Sequence, residues 1–195
     1  MLPMLQTLLI GLAQGASYAL IALGYTMVYG VLGMINFAHG EIFTLGAYAG
    51  ILALAGGTAL GVTTAHPLAA LLGAGAVAVL VCALHGMTIE YVAYRPLRKA
   101  HALAPLISAI GVSLFLQNYL RMTQGTNHKV FPHAVRGVFD GAPLLDGALS
   151  RVQAVILLAS LSCMVALHLY ITRTKTGRAM RAVSQDPAMA SLCGV

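Results

Sequence analysis

The sequence predicts an all-α polytopic integral membrane protein. About five transmembrane helices come first, and a short cytoplasmic helix follows. Three observations carry this prediction. Charged residues make up only 8% of the 195-residue chain and hydrophobic residues 59%, with a mean hydropathy of +0.85. A soluble domain carries about 25% charged residues, and this chain has too few to clothe a water-exposed surface. The apolar residues fall in runs of roughly 20, the length a helix needs to cross a bilayer. Finally, no Lys or Arg precedes position 95, and the eleven basic residues gather at the ends of apolar runs.

The first run covers about 4–30 and the second about 41–57, which is short and Gly-rich. The third covers about 67–94, with Pro67 suited to its first turn. The fourth covers about 102–121 and the fifth about 151–172. Pro96 should push Arg95 out of helical geometry and end the third helix there. Gly pairs four apart (Gly11 and Gly15, Gly46 and Gly50, Gly57 and Gly61) predict flat helix faces where backbones approach. Segment 122–150 is the one long loop, broken by Pro132, Gly137, Gly141, Pro143 and Gly147. It reads as a passive connector or as a contact surface.

Orientation follows from the basic residues. Arg95, Arg98, Lys99, Arg173, Lys175, Arg178 and Arg181 fall on one side, and Arg121, Lys129, Arg136 and Arg151 on the other. The richer side is expected in the cytoplasm. That makes 122–150 external, 173–195 cytoplasmic and the N-terminus external. The +6 net charge is therefore a topology signal and not a nucleic-acid-binding face. The N-terminus has no basic stretch of the kind that opens a cleaved secretory signal. Cys82, Cys163 and Cys193 form no close-spaced pair, so no disulfide or metal framework is expected.

Polar residues inside or between the runs are the site candidates. Gln14, Tyr18 and Tyr25 lie on one side of the first helix, with Ser17 beside them. They read as interhelical hydrogen-bonding groups or as pathway lining. Gln117 and Asn118 in the fourth helix carry the same two readings. Ile35–Glu41 joins the first two runs. In it, Asn36 is expected to cap a helix starting near Phe37, and Glu41 suits the positive end of that helix. The alternative reading gives His39 and Glu41 a part in a gate or pathway. One His and one Glu fall short of a zinc ligand set. The count of spans puts this junction toward the cytoplasmic side, as a simple turn or a re-entrant one. The tail after Thr176 is small, polar and Ala-rich. It reads as two helical pieces divided at Asp186–Pro187, fitted to a partner's groove. No catalytic constellation stands out. No Lys follows a Gly, so the chain supplies no phosphate-binding loop of the Gly-Lys kind.

Several motifs resemble a known family. They are Ser17 through Gly30, Met34 through Glu41, Glu90 through Arg98, Leu106 through Gly111, Phe115 through Asn118, and Gly177 through Ala182. In order and over nearly the whole chain they resemble the permease subunits of branched-chain amino-acid ABC transporters, of the high-affinity type. The resemblance implies a transport subunit and not an enzyme, with no cofactor. It implies a bacterial inner-membrane location and four kinds of partner: the bilayer, a second permease, two cytoplasmic ATP-binding subunits and a periplasmic binding protein. The substrates implied are leucine, isoleucine and valine, or related amino acids and amides. The tail resembles the family's ATPase-coupling loop, at Gly177, Arg178, Arg181, Asp186 and Gly194. Tyr91 stands where the family commonly has Arg. The family runs longer than this chain, so 1–195 is expected to be a single permease domain, incomplete at its C-terminus. A secondary carrier or channel without an ATPase is the alternative, and a non-transporting scaffold a third. Carriers keep titratable groups at mid-membrane, whereas the charges here sit at the ends of apolar runs.

Overall fold

The computed structural model describes residues 2–97, 100–101, 103–127, 129–132, 135, 137 and 149–194, the side chains of Leu2, Pro3 and Leu32 excepted. Arg98, Lys99, Arg136 and positions 138–148 of the expected external loop lie outside the described residues. Every regular element described is helical. In order these are α1 (Leu2–Leu32), α2 (His39–Ala59), α3 (Val62–Ala65), α4 (Pro67–Ile89), α5 (Leu103–Gln124), α6 (Arg151–Arg173), α7 (Lys175–Gln185) and α8 (Pro187–Leu192). Five of these helices are long and apolar enough to cross a membrane, with α4 continuing to Leu97. The protein is therefore an all-α, multi-pass membrane protein.

The chain divides into two compact units, residues 36–140 and residues 1–35 with 141–195. In the first, α2 packs against α4 through small residues. A Cβ on Gly46 would meet the Cys82 sulfur at 2.5 Å, and one on Gly50 would rest on Ala74 and Ala78 at 3.8 and 3.9 Å. Leu54, Ala74 and Val135 are buried together at one end of this seam. Most large apolar side chains stay exposed, among them Leu72 and Phe115. In a chain with five spans, these are the surfaces that meet lipid. The Gly57–Gly61 pair departs from its expected role. Gly57 packs on Thr63, but Gly61 lies off the helix at φ 75°, where its left-handed turn lets the chain enter α3.

Two helix ends also depart from expectation. Arg95 is not pushed out of helical geometry, since its φ and ψ are −57° and −43°. Instead α4 runs on as a π-turn over Glu90–Tyr94 and a 3₁₀ turn over Arg95–Leu97. The Arg95 N–H reaches back five residues to the Glu90 carbonyl. Pro96 has no N–H to give and its ring crowds the preceding turn. Widening to a π-turn accommodates it without breaking the helix. The Arg95 guanidinium lies 5.5 Å from the Tyr91 ring centroid, a cation–π contact. Asn36 likewise does not cap a helix at Phe37. The helix begins at His39, its N-cap is Ala38, and no side chain caps it.

In the second unit, α1 packs against α6, and the tail helix α7 packs against both. Ser150 and Gln153 close a reciprocal capping box at the start of α6, with bonds of 3.2 and 2.9 Å. The tail forms the two helical pieces that its sequence suggests. Thr174 caps α7 by accepting from the Gly177 N–H at 3.0 Å. Asp186 caps α8 by accepting from the Ala188 and Met189 N–H groups at 2.9 and 3.0 Å.

Candidate functional site: a polar cluster level with the middle of two spans

One side-chain oxygen braces the short connection between α1 and α2. The Asn36 side-chain carbonyl accepts from the Tyr94 hydroxyl at 2.7 Å and from the Ala38 N–H at 3.1 Å. All three residues are buried. The π-turn of α4 carries Tyr94 to this point, and nearby Ser108 donates to the Ala93 carbonyl at 3.2 Å.

From there the chain rises to Glu41. Its Oε1 accepts from the Gln117 amide at 2.8 Å and from the Ser113 hydroxyl at 3.4 Å. Ser113 also accepts from Gln117 at 3.4 Å. Both donors are uncharged, so they hold the carboxylate in place without cancelling its charge. The depth of this cluster differs from the expectation of charges at the ends of spans. Ser113 is the eleventh of the 22 residues of α5. Next to Glu41, the Ile42 carbonyl accepts from the Cys82 thiol at 3.3 Å. Cys82 is the central residue of the 31-residue span Pro67–Leu97. Two neighbouring helices thus agree that α2 starts level with their midpoints. The end of an apolar run is not the edge of the bundle.

A cleft lies about one helical turn from this cluster, lined by the same helices α2 and α5 and by α4. Leu45, Tyr48 and Leu52 line it from α2, at steps of four, seven and eleven from Glu41. From α5 come Leu120 and Gln124, three and seven beyond Gln117. Such steps return to one face of a helix. From α4 come Val81 and His85. The His85 Nδ1 lies 2.8 Å from the Val81 carbonyl, so Nδ1 carries a proton and donates it there. The cleft volume is about 360 Å³.

His39 is half-buried in the first turn of α2. Asn118 does not join Gln117, and its amide folds back on the Leu114 carbonyl at 2.8 Å. On α1, Gln14 and Tyr18 are exposed and Tyr25 is half-buried, while Ser17 donates to its own helix at Ala13. In the tail, Gly177 is buried against the backbone of Ile171, where any Cβ would collide with its carbonyl. The Arg181 guanidinium donates to that same carbonyl at 2.8 Å. Arg178 and Asp186 are exposed, and Gly194 turns at φ 81°. Sequence reasoning missed Ser113 and Tyr94. Ser113 had a signal, four residues before Gln117 and so on its face. Tyr94 had none, because its direction depends on the π-turn.

A family model for the permease component of branched-chain amino acid transport systems matches residues 7–195. The high-affinity branched-chain amino acid transport system permease protein LivH of Escherichia coli (strain K12) is 42% identical over 194 residues. LivH of Salmonella typhimurium is 41% identical over 194 residues, and BraD of Pseudomonas aeruginosa 43% over 193. Each alignment covers 98% of this chain and 62% of the relative, so the chain spans about three-fifths of the length of the curated relatives it matches. No solved structure matches it.

Proposed function

The chain belongs to the family of permease components of branched-chain amino acid transport systems, and on that premise we propose that it forms part of an ATP-driven importer of leucine, isoleucine and valine or of related amino acids and amides. The observation that carries the reading is the family match across residues 7–195. In this proposal the subunit lies in the bacterial inner membrane beside a second permease. Two cytoplasmic ATP-binding subunits power it, and a periplasmic binding protein delivers substrate. The N-terminus and 122–150 face outward, as the distribution of Lys and Arg suggests. Polar groups on α1 (Gln14, Tyr18, Tyr25) and around the start of α2 (Asn36, His39, Glu41, with Gln117 and Asn118) serve as pathway candidates.

The tail, 173–195, is proposed to couple the membrane subunit to the ATPase. Gly177 and Arg181 tie α7 to the end of α6 through Ile171. Arg178 and Asp186 are exposed for contact, and Gly194 turns the chain after α8. A corner held by backbone contact can transmit movement between a docked partner and a spanning helix.

The test is reconstitution of the full-length subunit with its partner subunits and binding protein in vesicles. ATP-dependent uptake of labelled leucine, isoleucine or valine is expected. Failure of the full-length protein to associate with any cytoplasmic ATPase would sink the importer reading. The secondary-carrier reading gains one observation, a carboxylate level with the middle of the spans. Uptake that persists without ATP-binding subunits would favour it.

A further inference from the structure

We propose that Glu41 is the counter-charge for the primary ammonium group of the substrate, level with the middle of α5, and that the cleft among α2, α4 and α5 takes the substrate's branched aliphatic side chain. This rests on the transport reading above. Three features of the geometry carry it. First, among the described residues the donors that reach the carboxylate are neutral, Gln117 and Ser113. An ionised carboxylate deep in a bundle is costly unless a cation shares its surroundings part of the time. Second, the cleft begins one helical turn away, on the same faces of α2 and α5 that carry Glu41 and Gln117. Its walls are Leu45, Leu52, Val81 and Leu120, which suit an aliphatic chain, and Tyr48 and His85 bring polar atoms to the same space. Its volume of about 360 Å³ falls within the usual range for small-molecule sites. Third, charge and apolar wall lie in line along the helix axes. A small molecule with an ammonium at one end and a branched chain at the other matches that order. A purely apolar molecule leaves the carboxylate unused, and an anion meets it as a like charge.

The experiment uses the full-length subunit in its assembled transporter, in vesicles free of aminolipids, so that no lipid headgroup supplies the ammonium. A hydrophobic carbodiimide labels membrane carboxylates, and mass spectrometry reads Glu41 separately from Glu90. Saturating leucine and 3-methylbutylamine are each expected to slow labelling of Glu41 and not of Glu90. The compound 4-methylpentanoate, which has the chain without the ammonium, is expected to give no protection. Equal protection by 4-methylpentanoate, or none by leucine, overturns the proposal. A second arm compares uptake. Glu41→Gln keeps the shape and the bonds to Gln117 and Ser113 but drops the charge. Leucine uptake is expected to fall roughly tenfold to a hundredfold, the loss of one hydrogen bond to a charged group, with Glu41→Asp partly restoring it. Wild-type uptake with an unimpaired Glu41→Gln variant overturns this inference and leaves the transport reading standing. Absence of uptake in the wild type overturns the transport reading itself.

Discussion

Asn36 satisfies two buried donors with one side-chain oxygen, and the two donors come from distant parts of the chain. Buried polar groups left unpaired cost more than the net gain of a bond once made. Removing one donor should therefore cost less than removing the shared acceptor. Tyr94→Phe is expected to lower stability by about 1 kcal/mol, and Asn36→Ala by roughly 1–3 kcal/mol. Thermal unfolding of the purified protein in detergent compares them, and an Asn36→Ala variant as stable as Tyr94→Phe would contradict the shared-acceptor geometry. The same logic sorts the tail arginines. Arg181 bonds the Ile171 carbonyl, whereas Arg178 is exposed on the helix surface. Arg178→Glu should reduce coupled uptake while leaving the melting temperature unchanged. Arg181→Glu should lower both.

At the scale of elements, the α2–α4 seam depends on how closely two backbones approach. A methyl at position 46 would strike the Cys82 sulfur, while one at 50 would make ordinary contact. Gly46→Ala should destabilise by roughly 1–3 kcal/mol through overpacking, and Gly50→Ala should stay within about 0.5 kcal/mol of neutral. Removing the sulfur should relieve the first. The double variant Gly46→Ala with Cys82→Ala is expected to recover most of the loss, a coupling that a double-mutant cycle reads directly. Additive losses would mean that Gly46 matters for another reason. The π-turn in α4 is a device of the same scale. It accommodates Pro96 and, by adding a residue to one turn, brings Tyr94 to Asn36.

For the whole molecule, the five spans follow from length and hydropathy, and the observed spans match the expected ones to within a few residues at each end. Replacing both Arg178 and Arg181 by Glu tests the proposed tail at this scale. ATP hydrolysis is expected to continue without uptake, with membrane insertion intact. Normal uptake by that double variant would remove the coupling assignment. The helical division at Asp186 was legible because an acidic N-cap followed by Pro at the first helical position is a local signal.

The sequence by itself determined the class of protein, its five spans, the polar break at Ile35–Glu41 and the family its motifs resemble. These are properties of composition and of neighbouring residues, and each follows from the cost of placing charge or bare backbone in lipid. Only the tertiary structure decided the depth of Glu41. A run of apolar residues gives a helix its length but not its offset from the next helix. That offset is fixed by contacts across the bundle, here Cys82 with Ile42 and Gln117 with Glu41. The sequence separations of those pairs, 40 and 76 residues, put them beyond any local pattern.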